Sequence, residues 1–364
     1  MIRLLHCADV HLKAEEKVYG LAVLREIVET ANREKVNFLL ICGDLFDSFG
    51  DAEVLHRDVG EIADACACEI LYIPGNHEEH GKTGALGNFD FGKLKPFAKT
   101  PYDRIVRELK DDSIEFLAIP HQDDYSKWRD WEIPATEAKA RVALAHATVE
   151  NMVYIGPEDS NFEEGGGILG SEFFNRNKVL YAALGHIHGC RRQTVEDSML
   201  VYPGSATVWR KGETGPRKIM LVDIDQGKIS DIREQAVGAA GQYRRCEIPL
   251  SLDGSMPDVA SVVKQFGPND MIELVLTGII ENESLFRDVE MVLQDCDRTL
   301  LRKAILDKEK AGIFPGLAKQ PLAASFLKKW QQGPPADGTI KPEVWARSRQ
   351  LALESIMARM EARQ

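Results

Sequence analysis

Five short motifs put polar, metal-capable side chains directly behind apolar runs. "LLHCADVH" delivers Asp9 and His11, "LLICGD" delivers Gly43 and Asp44, and "LYIPGNH" delivers Gly75, Asn76 and His77. "VALAH" adds His146, and "ALGHIH" adds His186 and His188. Each motif alone has an ordinary explanation. Gly75 and Asn76 suit a turn, Asp44 suits a helix cap, and a D-x-H or H-x-H pair suits a solvated strand face. Together they point elsewhere, because carboxylates and imidazoles gathered where strands end carry a desolvation cost unless paired or bound to a cation.

Mixed oxygen and imidazole donors suit divalent transition ions such as Mn2+, Fe2+ or Zn2+. Two ions side by side need one ligand that reaches both. A carboxylate has two oxygens to share, whereas an imidazole has one nitrogen to give. Asp44 is the natural bridge, since it ends the middle one of the three N-terminal apolar segments. The D-x-H and H-x-H steps turn both side chains to one side only in extended backbone, so both segments are expected to be extended. A cation pair held this way activates water and neutralises phosphate oxygens, which is the chemistry of phosphodiester hydrolysis.

The elements that must carry these groups alternate between two patterns. "IRLLHCAD", "VNFLLICGD" and "EILYIPGNHE" read as buried strands. Between them, "VYGLAVLREIVETANREK" has Val18, Leu21, Ala22 and Val28 at helical spacing, and "AEVLHRDVGEIADACAC" has Val54, Leu55, Val59, Ile62 and Cys66. Further strands are expected at 113–120, 141–149, 178–188, 198–205 and 217–225, with long connections at 76–112 and 150–177. The pattern is that of a layered α/β domain, whose sites lie beyond the carboxyl ends of its strands. After residue 240 a second, smaller α/β unit follows: "YRRCEIPL", "MPDVASVVKQF", "MIELVLTGII" and "NESLFRDVEMVLQDC", with Asn282 or Ser284 capping the last helix. The bridge "QQGPPADGT" leads to a final helix from Pro342 to Met360, with a stripe of Leu353, Ile356, Met357 and Met360.

With 364 residues the chain is long enough for two domains, and its 44% hydrophobic and 28% charged residues are those of a globular protein. No apolar run is long enough to span a bilayer and no export signal opens the sequence, so no membrane contact and a cytoplasmic location are expected. Seven scattered cysteines suit reduced core thiols. Cys66 and Cys68 form a C-x-C that could be half of a zinc clamp, but no second pair stands nearby. The net charge of −12 argues against a surface that binds polyanions non-specifically, though not against a cationic cleft.

In sum, D-x-H, GD, GNH-E, a strand-end H and G-H-x-H resemble the signature of the calcineurin-like metallophosphoesterase superfamily. Within it, "LLHCADVHL", "ICGDLFD", "IPGNHE", "ALGHIH" and "VYPGS" are similar to the SbcD-type nuclease subunits of DNA double-strand-break repair. The resemblance implies a four-layer αββα sandwich over residues 1–235, a small α/β capping domain over 240–305, and a C-terminal helical region over 306–364 open to a partner. It implies one metal held by Asp9, His11, Asp44 and His188, and a second held by Asp44, Asn76, His146 and His186. Mn2+ is the expected ion, with Fe2+ or Zn2+ as alternatives. His77 would bind no metal; it would face the scissile phosphate, stabilising its charge or protonating the leaving oxygen. DNA, an ABC-type coiled-coil ATPase of the SbcC kind and a second copy of the chain are the implied partners.

The chain also departs from its relatives. "GDLFDSFG" lacks the phosphate-clamping Arg of the "GDxVDRG" protein phosphatases, and Asp47 stands where some repair nucleases have His, which leaves the balance of exonuclease and endonuclease activity open. Asp47, Gly204, Ser205 and Arg210 are possible substrate contacts, with Arg191, Arg192 and Lys211 as further phosphate ligands, although "YPGSATVWR" equally fits a tight strand-linking turn. His6 and His121 are expected in the core or at an edge. Three readings stay open: a DNA nuclease, a phosphodiesterase for a small nucleotide or ester, favoured by the acidic total, and a partner-binding scaffold, favoured by the terminal apolar stripe.

Overall fold

The computed structural model describes residues 1–78, 86–110, 112–152, 167–250, 255–300, 302–316, 319–330 and 339–361. The chain divides into two units, Met1–Tyr243 and Arg244–Gln364.

The first unit opens with β1 (Ile2–Cys7), α1 (Lys17–Glu34), β2 (Phe38–Cys42), α2 (Phe49–Asp64), β3 (Glu69–Ile73) and β4 (Lys95–Pro96). It continues through β5 (Asp103–Leu109), β6 (Asp112–Ile119), β7 (Ala140–His146), β8 (Thr148–Val149), β9 (Ile168–Leu169), α3 (Glu172–Arg176), β10 (Tyr181–Gly185), β11 (Arg191–Val195), β12 (Ser198–Tyr202), β13 (Lys218–Asp225) and β14 (Lys228–Ala236). Two six-stranded sheets result, ordered β14-β13-β1-β2-β3-β4 and β11-β12-β10-β7-β6-β5. The inner strands of both sheets run parallel; antiparallel strands close both edges of the second sheet and the β14 edge of the first, whose other edge, β4, is parallel to β3.

The sheets stack because their strands are apolar on both faces, as buried parallel strands must be. Ile2, Leu4, Phe38 and Leu40 meet Phe116, Val142, Tyr181 and Val201 in the inter-sheet core. Phe38 and Phe116 pack edge to face there, 4.9 Å between centroids. The alternate residues Leu5, Cys7, Leu39 and Ile41 face α1 and α2. The fourth layer is thin: α3 and an aromatic turn with Tyr125 and Trp128 cover the outer face of the second sheet. The fold is an α/β sandwich with mixed sheets, as the resemblance implies.

Some local expectations are corrected. Val18 and Val54 are 86% and 60% exposed, whereas the expected Leu21 and Val28 of α1 and Leu55, Val59 and Ile62 of α2 are buried, joined in α1 by Leu24, Ile27 and Ala31. Ser48 caps α2, its Oγ accepting from the Asp51 amide at 3.2 Å. The connection 76–112 contains two more strands, β4 and β5.

The second unit has β15 (Tyr243–Pro249), α4 (Val259–Val263), β16 (Met271–Ile280), α5 (Ser284–Leu300), β17 (Lys303–Asp307), β18 (Ala311–Ile313), α6 (Pro321–Trp330) and α7 (Pro342–Glu361). β17 and β18 both pair parallel with β16, and Val263, Leu274, Leu276, Val289 and Leu293 form its core. The Asn282 side chain accepts from the Ser284 amide at 2.9 Å where α5 begins. Of the apolar stripe on α7, the side chains of Leu353, Met357 and Met360 lie outside the described residues. No helix among the described residues is long and apolar enough to cross a membrane.

Candidate metal centre

All the candidate ligands sit at the carboxyl ends of strands in the first unit. β1, β2 and β3 of one sheet lead to Asp9 and His11, to Asp44, and to Asn76 and His77. β7 and β10 of the other lead to His146, and to His186 and His188. The backbone there is not extended, which corrects the expected geometry. Asp9, His11, Asp44 and His186 all adopt positive φ, at 53°, 47°, 48° and 95°. Such conformations are strained for residues with a Cβ and persist only where surroundings impose them. Here tertiary hydrogen bonds do so: the Asp9 amide donates to Gly43 O at 3.1 Å and the His11 amide to Asp44 O at 2.9 Å. Glycine is required beside them. A Cβ on Gly43 would collide with the His146 ring, and one on Gly75 with the Asp44 carboxylate.

Asp44 lies between two groups. Its Oδ1 accepts from the His77 amide at 3.0 Å. Its Oδ2 is buried, accepts no hydrogen bond among the described residues, and lies 3.2 Å from His146 Nε2 and 3.9 Å from His11 Nε2. On one side, Asp9, His11 and His188 bring potential ligand atoms within 4.8 Å of one another. On the other, the Asn76 amide oxygen is 2.9 Å from His146 Nε2 and 3.1 Å from His186 Nδ1.

The proton positions argue for cations in both places. His146 Nδ1 donates to Cys42 O at 2.9 Å, so its neutral form turns the Nε2 lone pair toward two oxygens. His188 Nδ1 lies 2.6 Å from Glu213 Oε1, and His11 Nδ1 lies 3.2 Å from Asp47 Oδ1. With the His188 Nδ1 proton engaged by Glu213, the His188 Nε2 lone pair faces His11 Nε2 at 3.1 Å. That arrangement repels itself unless a proton or a metal ion intervenes. Without an ion, protons do the work. His146 is pushed up to about 10, burial notwithstanding, by Asp44 and Asp9. Asp44, though buried, is held well below the ordinary carboxylate range by His146, His11 and His77. Burial pushes Asp9 up to about 7, against His146 and His188. The donor set of carboxylate, imidazole and amide oxygen fits two divalent transition ions.

His77 is placed differently. Its Nδ1 donates to Asp47 O at 2.8 Å, which leaves Nε2 as the atom that gains or loses a proton. Its ring stands edge-on to His11, 4.7 Å between centroids.

The expected substrate contacts separate. Asp47 bonds inward to His11 and to the Trp209 indole N–H, beside Lys13 Nζ at 3.5 Å. Ser205 is buried, its hydroxyl bound by Arg217 Nη1 at 3.1 Å, and Gly204 lets the chain approach His188 O. Both serve the turn. Arg192 pairs with Glu234 at 3.0 Å and Arg191 donates to Met152 O at 3.5 Å. Arg210 lies across the Trp209 ring at 5.2 Å, and its Nε and Nη2 make no hydrogen bond among the described residues. Lys211 is exposed. His6 is a core residue, bonded to Tyr181 and Leu184 and pushed down to about 3 by burial; His121 is buried 6.1 Å from the His146 ring.

Three residues of the site had no role assigned from sequence. Glu213 orients His188 and accepts from the Trp209 amide at 2.7 Å. Trp209 stacks on His11, 4.6 Å between centroids. Glu78, plain in "GNHE" but without an assigned role, ties the two central loops together. It accepts from the Phe46 amide at 2.9 Å and the Gly75 amide at 2.7 Å.

The sequence profile of the calcineurin-like phosphoesterase family matches residues 2–190. Over 314 residues the chain is 24% identical to an uncharacterized metallophosphoesterase of Bacillus subtilis, YhaO, covering 75% of this chain and 71% of that one. It is 27% identical over 236 residues to the DNA double-strand break repair protein Mre11 of Saccharolobus solfataricus, covering 58% and 56%. It is 26% identical over 298 residues to Mre11 of Aeropyrum pernix, covering 70% and 66%. The shared region is thus little more than half of the S. solfataricus protein.

Proposed function

The chain belongs to the calcineurin-like phosphoesterase family, and from that premise we propose that it is a two-metal phosphodiesterase that cleaves DNA. The observation that carries the reading is Asp44 Oδ2, buried between two ligand clusters and within 3.9 Å of a nitrogen in each. Asp9, His11, Asp44 and His188 would hold one ion, and Asp44, Asn76, His146 and His186 the other, with Mn2+ the expected metal. When bound, such ions polarise phosphoryl oxygens and lower the pKa of water.

The side chains do the rest. Glu213 fixes the tautomer of His188, so that it presents Nε2 inward, and the Asp47 carboxylate lies 3.2 Å from His11 Nδ1. His77, held by Asp47 O, carries a proton on Nε2 and donates it to the departing oxygen. Lys13 and Arg210, each over the Trp209 ring, offer cations for the phosphates that flank the scissile one. The similarity to two Mre11 proteins supports DNA as substrate and double-strand-break repair as context. The same reading expects a capping role for the second unit, docking of a coiled-coil ATPase on its last helices, and a homodimer.

The test is one preparation of the full chain with Mn2+, assayed in parallel on single-stranded DNA, blunt duplex and bis-p-nitrophenyl phosphate. Cleavage of DNA, abolished by EDTA, is the expected result. Activity confined to the small ester would overturn the DNA assignment, and neither activity nor bound metal would overturn the catalytic one.

A further inference from the structure

The C-x-C at 66–68 lies at the amino end of β3, whereas the histidine cluster lies beyond the carboxyl end of the strands. Its two sulfurs are 3.4 Å apart, with Cys66 buried and Cys68 half-buried. The turn that presents them is held from two sides. Asn32 of α1 donates to Ala65 O at 2.9 Å and accepts from the Ala67 amide at 2.7 Å. Lys93 Nζ donates to Asp64 O at 2.8 Å and to Cys66 O at 3.2 Å. The turn is therefore fixed with its thiols in contact.

A zinc clamp is not what this builds. Among the described residues, neither sulfur belongs to a group of three or more side chains able to hold a metal. Two touching thiols without further ligands are suited to a different reaction. A disulfide bond needs an S–S distance of about 2.05 Å, so closure asks for a movement of only about 1.4 Å. A thiolate is also at hand. Cys66 is lowered to about 7 by the hydrogen bond from Cys68 and the ammonium of Lys93.

We propose that Cys66 and Cys68 are a dithiol modification site that a hydroperoxide closes to an intramolecular disulfide. The thiolate of the pair attacks one peroxide oxygen; the S–O bond forms, the O–O bond breaks, and hydroxide leaves with the electron pair. The second sulfur then attacks the sulfenic sulfur, the S–S bond forms, the S–O bond breaks, and the departing hydroxide takes up the thiol proton. The dithiol loses two electrons and hydrogen peroxide becomes two waters. Holding the second thiol at contact distance makes closure faster than further oxidation of the first. Cys190, exposed and distant in sequence, has no such partner built beside it and serves as an internal control.

The experiment uses the full chain, reduced and desalted, treated with hydrogen peroxide in increasing dose. Remaining thiols are then blocked with N-ethylmaleimide and tryptic peptides are weighed. The tryptic peptide 58–82 contains both cysteines and no other. At the lowest effective dose the thiol titre is expected to fall by two from seven, with this peptide lighter by two hydrogens and Cys190 still alkylated. Dithiothreitol should restore both thiols. Three results would each overturn the proposal: a pair still alkylated when Cys190 has been oxidised, oxygen added to the peptide rather than hydrogen lost, or a link to any other cysteine.

Discussion

Replacing Glu213 by Gln isolates the carboxylate that faces His188. The 2.6 Å contact is an ionic hydrogen bond, and glutamine keeps its shape while removing its charge. Bonds to charged groups are worth ~1.5–3 kcal/mol and neutral ones ~0.5–1.5 kcal/mol. The substitution should therefore cost about 1.4 kcal/mol of support for His188 as a ligand, or about tenfold in metal affinity. Losing a partner of a metal-bound histidine typically costs about 10- to 100-fold, which agrees. Glutamine is chosen over alanine because it keeps the volume and an accepting oxygen beside the buried Arg217, which alanine would not. In Glu213→Gln, Arg217 keeps Ser205 Oγ at 3.1 Å and Thr214 O at 2.9 Å, so the fold should survive. Calorimetric titration with Mn2+ at pH 7 measures the affinity, and ester hydrolysis at saturating Mn2+ measures the rate. Affinity should fall about tenfold while the saturated rate changes little, since Glu213 acts through His188. An unchanged affinity in a folded variant would refute the role given to this carboxylate.

His77→Gln should lower the saturated rate by about 10²-fold with Mn2+ affinity retained, as titration and kinetics on one sample would show; loss of metal would instead make His77 a ligand. Asp44→Asn should reduce bound Mn2+ below two per chain by elemental analysis and abolish hydrolysis, and two retained ions would rule out the bridge. Mn2+ binding should release a proton from His146 below about pH 10 and a second from Asp9 below about pH 7, because both must give up theirs to coordinate. Calorimetry in buffers of different ionisation enthalpy reads this directly. In the metal-free protein the raised His146 pKa stabilises the fold fully below its ordinary 6.5, and that contribution should fade as pH rises through about 10 in denaturant titrations.

What could be read without coordinates was local. Apolar runs with abrupt polar ends are written residue by residue, so β1, β2, β3, β7 and β10 were visible together with the groups they present. The edge strands β5 and β14 were not, because "DRIVREL" and "KISDIREQA" hide a half-buried alternation among charges. The left-handed backbone at Asp9, His11 and Asp44 follows from hydrogen bonds between segments far apart in the chain. Glu213 and Trp209 belong to a loop whose only relation to the histidines is spatial, and Ser205 stayed open between two readings because a turn and a phosphate contact look alike as letters.

Among the described residues the two sheets share no strand ladder, yet each carries part of the candidate site: Asp9, His11, Asp44 and Asn76 hang from one, and His146, His186 and His188 from the other. Bound ions would thus work as rivets driven through two separately woven plates. A chain with only one plate formed would have half the sockets, so ion capture would come after the plates meet, and stripping the ions would loosen the join while each weave stayed whole.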